Sequence, residues 1–210
     1  MKTGARDDSQ SPPVIVEERD ALAVIRINRP AQRNSLSVAT LDELEHAFAR
    51  LTQDERIRAI IFTGTGDVFA SGADIRELRA LTPDAAREFA ARGQRLFNLI
   101  ADARPLTVAA VNGYCMGGGL DLALACRVRV ASPRAVFAHP GARLGIITGW
   151  GGTQRLPQLI GQARALEMFL TARRIRADEA LAIGLVNRIG TPALDCALEL
   201  ARQLQNRSQP

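Results

Sequence analysis

The 210-residue sequence is short of several residue types that often build functional sites. It has one Trp, one Tyr, two His and three Cys, and Lys2 is its only lysine. The cysteines are odd in number and lack CxxC spacing, which argues against a disulfide framework or a structural zinc site and favours a reducing compartment. His46 and His139 stand far apart without neighbouring ligand residues. We therefore predict no metal centre.

Long apolar runs are missing as well. No segment approaches the ~20 apolar residues of a membrane-spanning helix. The opening MKTGARDDSQSPP also lacks the apolar stretch of a secretory signal. These absences predict a soluble, cytoplasmic protein without a membrane partner. We expect a disordered tail over residues 1–13 and a single domain over residues 14–210.

The charge is unbalanced towards the positive side, with a formal net charge of +5. Such a balance suits an anionic partner, which can be nucleic acid, anionic lipid or a phosphate-bearing substrate. Nucleic-acid binding, however, requires a continuous basic stripe, and the arginines are dispersed along the sequence. We therefore expect no nucleic-acid partner and interpret most of the arginines as a solvated surface.

Apolar strands alternate with helices along the chain. Two β-rich runs on either side of Arg19-Asp20 predict a hairpin, and Ser37 suits the cap of a helix with leucines on one face. Further strands are predicted at 57–63, 106–111, 127–131, 135–138 and 185–189, and further helices at 83–102, 120–126, 152–160, 162–171, 177–183 and after Pro192. This alternation is typical of parallel βαβ units in an α/β fold.

Three familiar catalytic or nucleotide-binding motifs are absent. GTGDVF, after the strand at 57–63, begins like a dinucleotide-binding G-x-G-x-x-G loop but has Phe69 in place of the third glycine. The sequence has no G-x-x-x-x-G-K-[ST] phosphate loop and no G-x-S-x-G nucleophile elbow. A dinucleotide site and serine-hydrolase chemistry are therefore unsupported.

Two glycine-rich loops follow two of the predicted strands. One ends in Ser71-Gly72-Ala73-Asp74, and the other is Gly117-Gly118-Gly119 at a helix start. Sites form at the carboxyl ends of parallel strands, so these loops are expected to meet, and free N–H groups at a helix start favour an oxyanion. The glycines also fit tight turns or close packing. Asp121, one helical turn after Gly118, is either a partner of the helix dipole or an acid/base group.

A resemblance to a known family is carried by five segments: NRPAQRNSL, FTGTGDVFASGADI, AAVNGYCMGGGLDLALACRVRVA, LGIITGWGGTQRLPQLIG and ARALEMFLTARRIRADEALAIGLVNRI. In this order, between about Val14 and Leu204, they resemble the signature blocks of the enoyl-CoA hydratase/isomerase (crotonase) superfamily. The resemblance implies a crotonase-like (ClpP/crotonase) spiral of ββα units and acyl-CoA substrates. Coenzyme A is then part of the substrate, so no separate cofactor is expected. It also implies a homo-oligomer, a trimer or a hexamer.

The resemblance also implies which residues form the site. The backbone N–H groups of Ala73 and Gly118 would form an oxyanion hole for the thioester oxygen, and Asp121 would be the main ionisable group. Arg76 stands where relatives often have lysine, which keeps a cation near the nucleotide phosphates, unless it is a solvent-facing helix residue. Trp150 would border the acyl pocket or only pack. The remaining contacts to coenzyme A or substrate are assigned to Arg29, Ser71, Asp74, Ile75 and Gly117.

The chain departs from the family pattern at three points. Hydratases of the family use two glutamates, and this sequence has Asp121 in place of the first and Gly141 in place of the second. Two acids suit hydration because one activates water while the other handles the α-proton. His139 is either a substitute base or a structural histidine. The sequence also stops at Pro210, where relatives continue into helices that cover the site and support a trimer, so it is either naturally short or a fragment.

The sequence thus predicts an acyl-CoA enzyme that stabilises a thioester enolate, with a hydratase-like lyase of fatty-acid metabolism as the first interpretation. Enoyl-CoA isomerisation or other enolate chemistry stays open, as does CoA-ester binding with little catalysis. ClpP-type proteolysis shares the spiral fold but requires a nucleophilic serine beside the oxyanion loop, where this chain has Gly119-Leu120.

Overall fold

The computed structural model describes residues 11–206, in which short strands alternate with helices. The strands are β1 (Val14–Arg19), β2 (Leu22–Ile27), β3 (Ser35–Leu36), β4 (Ala59–Gly64), β5 (Val68–Ala70), β6 (Gly72–Ala73), β7 (Leu106–Val111), β8 (Tyr114–Met116), β9 (Val128–Ala131), β10 (Val136–Ala138), β11 (Ile175–Arg176) and β12 (Arg188–Ile189). The α-helices are α1 (Val38–Gln53), α2 (Ile75–Arg79), α3 (Pro83–Ala101), α4 (Gly118–Ala125), α5 (Gly152–Ile160), α6 (Gln162–Thr171), α7 (Ala177–Ala182) and α8 (Ala193–Asn206).

The predicted disordered tail lies mostly outside the described residues. Residues 1–10 are not described, whereas Pro12 and Pro13 are held against the end of β2. The Asn28 side-chain amide donates to the Pro12 carbonyl at 3.2 Å, and the Asn28 backbone N–H donates to the Pro13 carbonyl at 2.8 Å. The prediction of a disordered tail is therefore wrong for Pro12 and Pro13, and its part over residues 1–10 lies outside the described residues.

Most of the long strands form one six-stranded sheet in the order β1-β2-β4-β7-β9-β12. The predicted hairpin pairs β1 with β2 in antiparallel fashion, and every later neighbour in the sheet is parallel. Each parallel connection runs through at least one helix, as a parallel crossover requires. The predicted α/β class with parallel βαβ units is confirmed.

Two smaller sheets lie beside the large one and carry the candidate loops. One has the order β11-β10-β8-β5, and the other pairs β3 with β6 in parallel. Because β5 and β8 are parallel neighbours, the residues that follow them, Ser71 and Gly117, leave the sheet at the same edge. This pairing brings the two glycine-rich loops together.

Side-chain caps and apolar stripes explain the two long helices before the site. Ser37 Oγ accepts the Thr40 N–H at 3.2 Å and starts α1, and the Thr82 hydroxyl accepts the Ala85 N–H at 3.3 Å at the start of α3. Pro83 occupies the first helical turn of α3, where no N–H bond is lost. Buried residues recur at helical spacing on α3: Phe89, Gly93, Leu96, Phe97 and Ile100.

The large sheet buries both of its faces, so two apolar cores form. Alternate residues of β2 point to opposite sides, with Ala23 and Ile25 in the larger core and Leu22 and Val24 in the smaller one. Helix α8 covers the smaller core with Ala193, Ala197, Leu198 and Ala201. The helices that hold the candidate site, α3, α4 and α5, pack on the larger core.

The predicted strand at 185–189 is wrong in length, because only Arg188–Ile189 pair with β9. The N–H groups of Leu185 and Val186 both donate to the Ala180 carbonyl, at 2.8 and 3.1 Å, and so close the end of α7. The Leu185 carbonyl accepts the buried guanidinium of Arg129 at 2.8 Å. These backbone groups are therefore already bonded and cannot join the sheet.

No helix within residues 11–206 combines the length and the apolar character needed to cross a membrane.

Arg129 supports a stability prediction, because its side chain is buried and bonded at two points. Its guanidinium donates to the carbonyls of Leu185 and Cys126 at 2.8 and 2.6 Å. We expect Arg129→Met to lower the free energy of unfolding by about 2–4 kcal/mol, since it leaves two buried carbonyls unpaired. Urea denaturation measures this change. Arg58→Met, at an exposed arginine, is the control, and equal stability of the two variants would contradict the structural role of Arg129.

Candidate active site

A cleft of about 260 Å³ opens beside the loops that follow β5 and β8. Its walls come from the glycine-rich loops, one side of α3, and parts of the segment between His139 and Trp150; the loops contribute Ser71, Gly72, Ala73, Ile75, Gly117 and Gly118. Ile75, Leu144, Ile146 and Ile147 are each about half exposed and form an apolar rim. The interior wall is mostly apolar, with polar groups concentrated at the loops. This is the composition of a site that holds an apolar group by its walls and orients it by a few polar atoms.

The two predicted oxyanion donors lie close together on one wall of the cleft. The Ala73 nitrogen is 3.5 Å from the point where a Cβ on Gly118 would sit, and a Cβ on Gly72 would sit 3.1 Å from the Gly118 nitrogen. Gly118 is the first residue of α4, so its N–H has no partner within the helix. The positive end of the helix dipole adds to these donors. This wall can therefore hold a developing negative charge on oxygen.

Gly117 gives the chain its turn between β8 and α4. Its φ of +51° is in a region that side chains rarely adopt, and its N–H donates to the Ala138 carbonyl at 2.9 Å. Gly118 is required for a different reason. A Cβ there would lie 2.3 Å from Cζ3 of Trp150, so the tryptophan ring lies directly against the backbone of the donor.

Trp150 packs in the core and also lines the cleft. The two roles considered from the sequence, packing and bordering a pocket, are therefore compatible. Its ring is 3% exposed and lies 5.1 Å from the Phe89 ring and 5.7 Å from the Phe97 ring. Its indole N–H donates to the Phe89 carbonyl at 3.2 Å. The ring therefore closes the inner side of the cleft between α3 and the start of α4.

Asp121 lies behind the cleft wall rather than on it, with 0% of its surface exposed. Its Oδ2 accepts the hydroxyl of Thr148, and its Oδ1 has no hydrogen-bond partner. Burial raises the pKa of Asp121 to about 7, although the Thr148 hydroxyl, the Trp150 backbone N–H and the charge of Arg155 all oppose the rise. A carboxyl poised near neutral pH can act as either an acid or a base.

His139 faces Asp121 from the end of β10. Its Nε2 lies 3.5 Å from Asp121 Oδ1, and neither ring nitrogen has a hydrogen-bond partner. Burial lowers the pKa of His139 to about 4, so the ring is neutral at pH 7. The ring also packs 5.0 Å from the ring of Phe169. His139 borders the cleft but brings no charge to it.

Gly141 occupies a turn that has no room for a side chain. A Cβ there would lie 2.6 Å from the Ile146 carbonyl oxygen. The Ile146 N–H donates back to the Gly141 carbonyl at 3.0 Å and closes the turn. The local backbone therefore leaves no space for a carboxylate side chain at position 141.

The charged residues of the predicted CoA loop stabilise the loop itself. Asp74 caps α2 by accepting the Arg76 N–H at 3.0 Å, and Arg76 Nη2 lies 2.8 Å from Asp74 Oδ2. The Arg76 guanidinium lowers the pKa of Asp74 to about 2. Of this loop, Ala73 and Ile75 border the cleft, whereas Asp74 and Arg76 do not. The Arg76 side chain remains 75% exposed.

Arg29 is also placed outside the main cleft. It donates to the Ser35 carbonyl at 2.8 Å and lies 4.0 Å from Asp74. It borders a separate polar hollow of about 240 Å³ together with Asn28 and Gln32. Ser71, Gly117, Gly118, His139 and Trp150, by contrast, all line the main cleft.

Sequence reasoning missed Thr148, which links the buried carboxyl to the cleft. Thr148 is half-buried, borders the cleft and donates its hydroxyl to Asp121. A hydroxyl inside the otherwise apolar and glycine-rich run GIITGWGG was the available signal. Within the described residues, no three His, Cys, Asp or Glu side chains come together as a metal site requires.

Comparison with known proteins places this geometry in a family. The model of the family described as Enoyl-CoA hydratase/isomerase matches residues 17–209. A crotonyl-CoA hydratase of Syntrophomonas wolfei is 44% identical over 180 residues, which is 85% of this chain and 69% of that protein. A short-chain-enoyl-CoA hydratase of Clostridium acetobutylicum is 39% identical over 194 residues, which is 91% of this chain and 74% of that protein.

A solved structure agrees with these relatives. The enoyl-CoA hydratase of Bacillus anthracis superposes with a TM-score of 0.88 at 34% identity, over 92% of this chain and 77% of that one. The crotonase-like α/β fold implied by the sequence resemblance is confirmed.

The raised pKa of Asp121 predicts that Asp121→Asn and the native protein differ in free energy of unfolding by an amount that depends on pH. Between about pH 4 and pH 7 the folded state keeps a proton that the unfolded state loses, so ionisation at higher pH works against folding. Asp121→Asn mimics the protonated form. We expect the free energy of unfolding of Asp121→Asn, relative to that of the native protein, to rise between pH 5 and pH 8 by about 2–3 kcal/mol.

Urea unfolding at the two pH values measures this difference. The depressed pKa of His139 acts in the opposite direction between about pH 4 and pH 6.5 but is common to both proteins, so it cancels in the comparison. Asp20→Asn, in the exposed turn of the hairpin, is the matched control. If the difference in free energy of unfolding between Asp121→Asn and the native protein is the same at pH 5 and pH 8, the carboxyl is ionised in the folded protein.

Proposed function

The chain belongs to the enoyl-CoA hydratase/isomerase family, and we propose that it hydrates the double bond of a short-chain 2-enoyl-CoA. The main support is one arrangement: two backbone N–H groups at a cleft wall, with a buried carboxyl of raised pKa directly behind that wall. The relatives named crotonyl-CoA hydratase and short-chain-enoyl-CoA hydratase support the choice of reaction and of chain length.

The thioester oxygen is proposed to accept hydrogen bonds from Ala73 and Gly118. When water adds to the β-carbon, electrons move to this oxygen and an enolate forms. The two N–H groups and the dipole of α4 stabilise that charge more than they stabilise the neutral thioester, which lowers the barrier. In enzymes of this type, losing one such donor costs about 3–4 kcal/mol of transition-state stabilisation.

Asp121 is proposed as the acid/base group of the reaction. Its pKa near 7 allows it to take a proton from water and return a proton to the α-carbon at neutral pH. His139 is neutral beside it and therefore leaves the carboxyl as the main ionisable group. We propose no separate cofactor, because coenzyme A arrives as part of the substrate.

The apolar walls suit the acyl group, and an exposed arginine outside the cleft suits the coenzyme. Phe89 and Trp150, with the smaller Ala86 and Ala90, line the interior of the cleft, which suits an apolar acyl group. The exposed guanidinium of Arg76 stands outside the cleft on the loop that carries Ala73, within the region where we propose that the CoA phosphates bind.

Isomerisation of the double bond is the second candidate, and one observation favours it. A shift of the double bond requires one group that removes a proton from one carbon and returns it to another. Among the described residues, Asp121 supplies a carboxyl behind the cleft wall, none lines the cleft itself, and the turn at Gly141 has no room for one. We also propose a cytoplasmic location and a role in fatty-acid metabolism. Neither reaction by itself requires them.

Hydration of crotonyl-CoA by the purified protein tests the main proposal. We expect a measurable loss of absorbance of the conjugated thioester and a fall in kcat of about 10²–10⁴-fold in Asp121→Asn, the usual contribution of an acid/base group. Asp178→Asn, at a residue of α7 outside the cleft, serves as the control. Double-bond migration without hydration would select the isomerase, and binding without either reaction would contradict both.

We also propose that the chain forms a homo-oligomer. Leu144, Ile146, Ile147, Leu166 and Leu170 are each about half exposed or more, and α6 packs beside the turn that contains Leu144. An apolar surface of this kind is typical of an interface.

Charged residues on α6 test the oligomer. We expect the native chain to sediment as a trimer or hexamer and Leu166→Glu/Leu170→Glu to sediment as a monomer, because burying two carboxylates in an apolar interface is unfavourable. Analytical ultracentrifugation at micromolar concentration measures both masses. A monomeric native chain, or a variant of unchanged mass, would rule out this surface as the interface.

A further inference from the structure

The buried carboxyl has no direct route to the substrate. Asp121 is 0% exposed and is not part of the cleft wall. Its Oδ1 faces Gly152, where a Cβ would sit only 2.1 Å away, and His139 at 3.5 Å. A substrate in the cleft therefore cannot contact Oδ1, and the opposite oxygen, Oδ2, is covered by Thr148.

Thr148 is placed between the carboxyl and the cleft. Its hydroxyl donates to Asp121 Oδ2, and the residue itself borders the cleft. Its Cγ2 would lie 2.9 Å from a Cβ on Gly152, so the methyl group packs against the start of α5 and limits rotation of the side chain. A hydroxyl oxygen that donates one hydrogen bond can still accept from a second donor, and here that donor is a molecule in the cleft.

From this arrangement we propose that Thr148 is a catalytic residue that transfers protons between Asp121 and the substrate. The proposal rests on the proposed function. In hydration, water in the cleft gives a proton to Thr148 Oγ1 as its oxygen bonds to the β-carbon, and Thr148 gives its own proton to Asp121. The π electrons move to the thioester oxygen. In the second half, Asp121 returns the proton through Thr148 to the α-carbon as the carbonyl re-forms.

The net result of these steps is the addition of one water molecule to the substrate, with no net change in the protein. Asp121 begins and ends as a carboxylate, and Thr148 begins and ends as a neutral hydroxyl. No further acid, base or oxidant is required. The same path serves double-bond migration, where a substrate carbon supplies the first proton instead of water.

The groups that face Asp121 are compatible with this path. His139 directly follows β10, Cys115 lies on β8 and Arg155 on α5. Burial lowers the pKa of His139 to about 4 and raises the pKa of the Cys115 thiol, so both are neutral near pH 7. The Arg155 charge favours the carboxylate. Thr148 is thus the group through which a proton passes between Asp121 and the cleft.

Substitution of the hydroxyl tests the proposal. Thr148→Val keeps the shape and removes the proton path, so we expect kcat for crotonyl-CoA hydration to fall at least about 100-fold across about pH 6 to pH 9, with KM changed little. Thr148→Ser keeps the hydroxyl and should retain most of the activity. Thr153→Val, five residues along and outside the cleft wall, is the matched control.

The pH profile separates a proton path from a merely structural hydrogen bond. Loss of the Thr148 hydrogen bond raises the pKa of Asp121, so a structural role predicts that Thr148→Val regains native kcat at high pH. That recovery would overturn the proposal. The rate of native hydration in mixtures of light and heavy water is a second test, because two protons in motion give a curved dependence. A linear dependence would also overturn it, and this measurement does not depend on any variant folding.

Exchange of the α-proton of butyryl-CoA with heavy water distinguishes failure of the proton path from failure of the proposed function. Exchange that is lost in Thr148→Val supports the path, even if the native chain does not hydrate crotonyl-CoA. A native chain that hydrates crotonyl-CoA, together with a Thr148→Val variant of equal hydration and exchange rates, would exclude Thr148 and leave the proposed function standing. A native chain inactive in both assays would overturn both.

Discussion

Asp121 loses all contact with water in the first turn of α4, and the surrounding segments compensate for this burial only in part. A carboxylate without water requires hydrogen bonds or a positive charge to stay ionised. Thr148 donates a hydrogen bond to one oxygen, but the other oxygen has no hydrogen-bond partner, and the ring of His139 that faces it is neutral. The pKa of Asp121 therefore lies near 7. The carboxyl can both take up and release a proton at neutral pH, as acid/base groups in enzymes do.

Close packing restricts the residues after Thr148, and at Gly152 the restriction comes from the buried carboxyl. A Cβ on Gly152 would meet Asp121 Oδ1 at 2.1 Å, so only glycine allows α5 to begin there. Trp150, between them, fills the space left by two other glycines: a Cβ on Gly93 or on Gly118 would lie 2.3 Å from its ring. The same ring thus sets the spacing between α3 and the start of α4, and it packs against the backbone that presents one oxyanion donor.

The sequence predicted the elements whose signals are local. Ser37 and Thr82 are recognisable caps, and the spacing of Gly118 and Asp121 already put a carboxyl one turn after a helix start. Five strands of two or three residues have no periodic pattern and were missed: β3, β5, β6, β8 and β11. The contact of Thr148 with Asp121 joins residues 27 positions apart, and the ion pair of Asp74 with Arg76 depends on a cap geometry that spacing alone does not reveal. Sites formed by long-range packing require the fold.

The lack of a second glutamate at position 141 also involves the backbone around it. The turn around it is closed by the Ile146 N–H, and the Ile146 carbonyl occupies the place of a side chain. A glutamate at this position would therefore have to open the turn, and with it the apolar rim that Ile146 and Ile147 form at the cleft mouth. Changing one residue is then insufficient to restore a second acid. The backbone, the rim and the single carboxyl are consistent with one another, which favours chemistry in which both proton transfers use the same group.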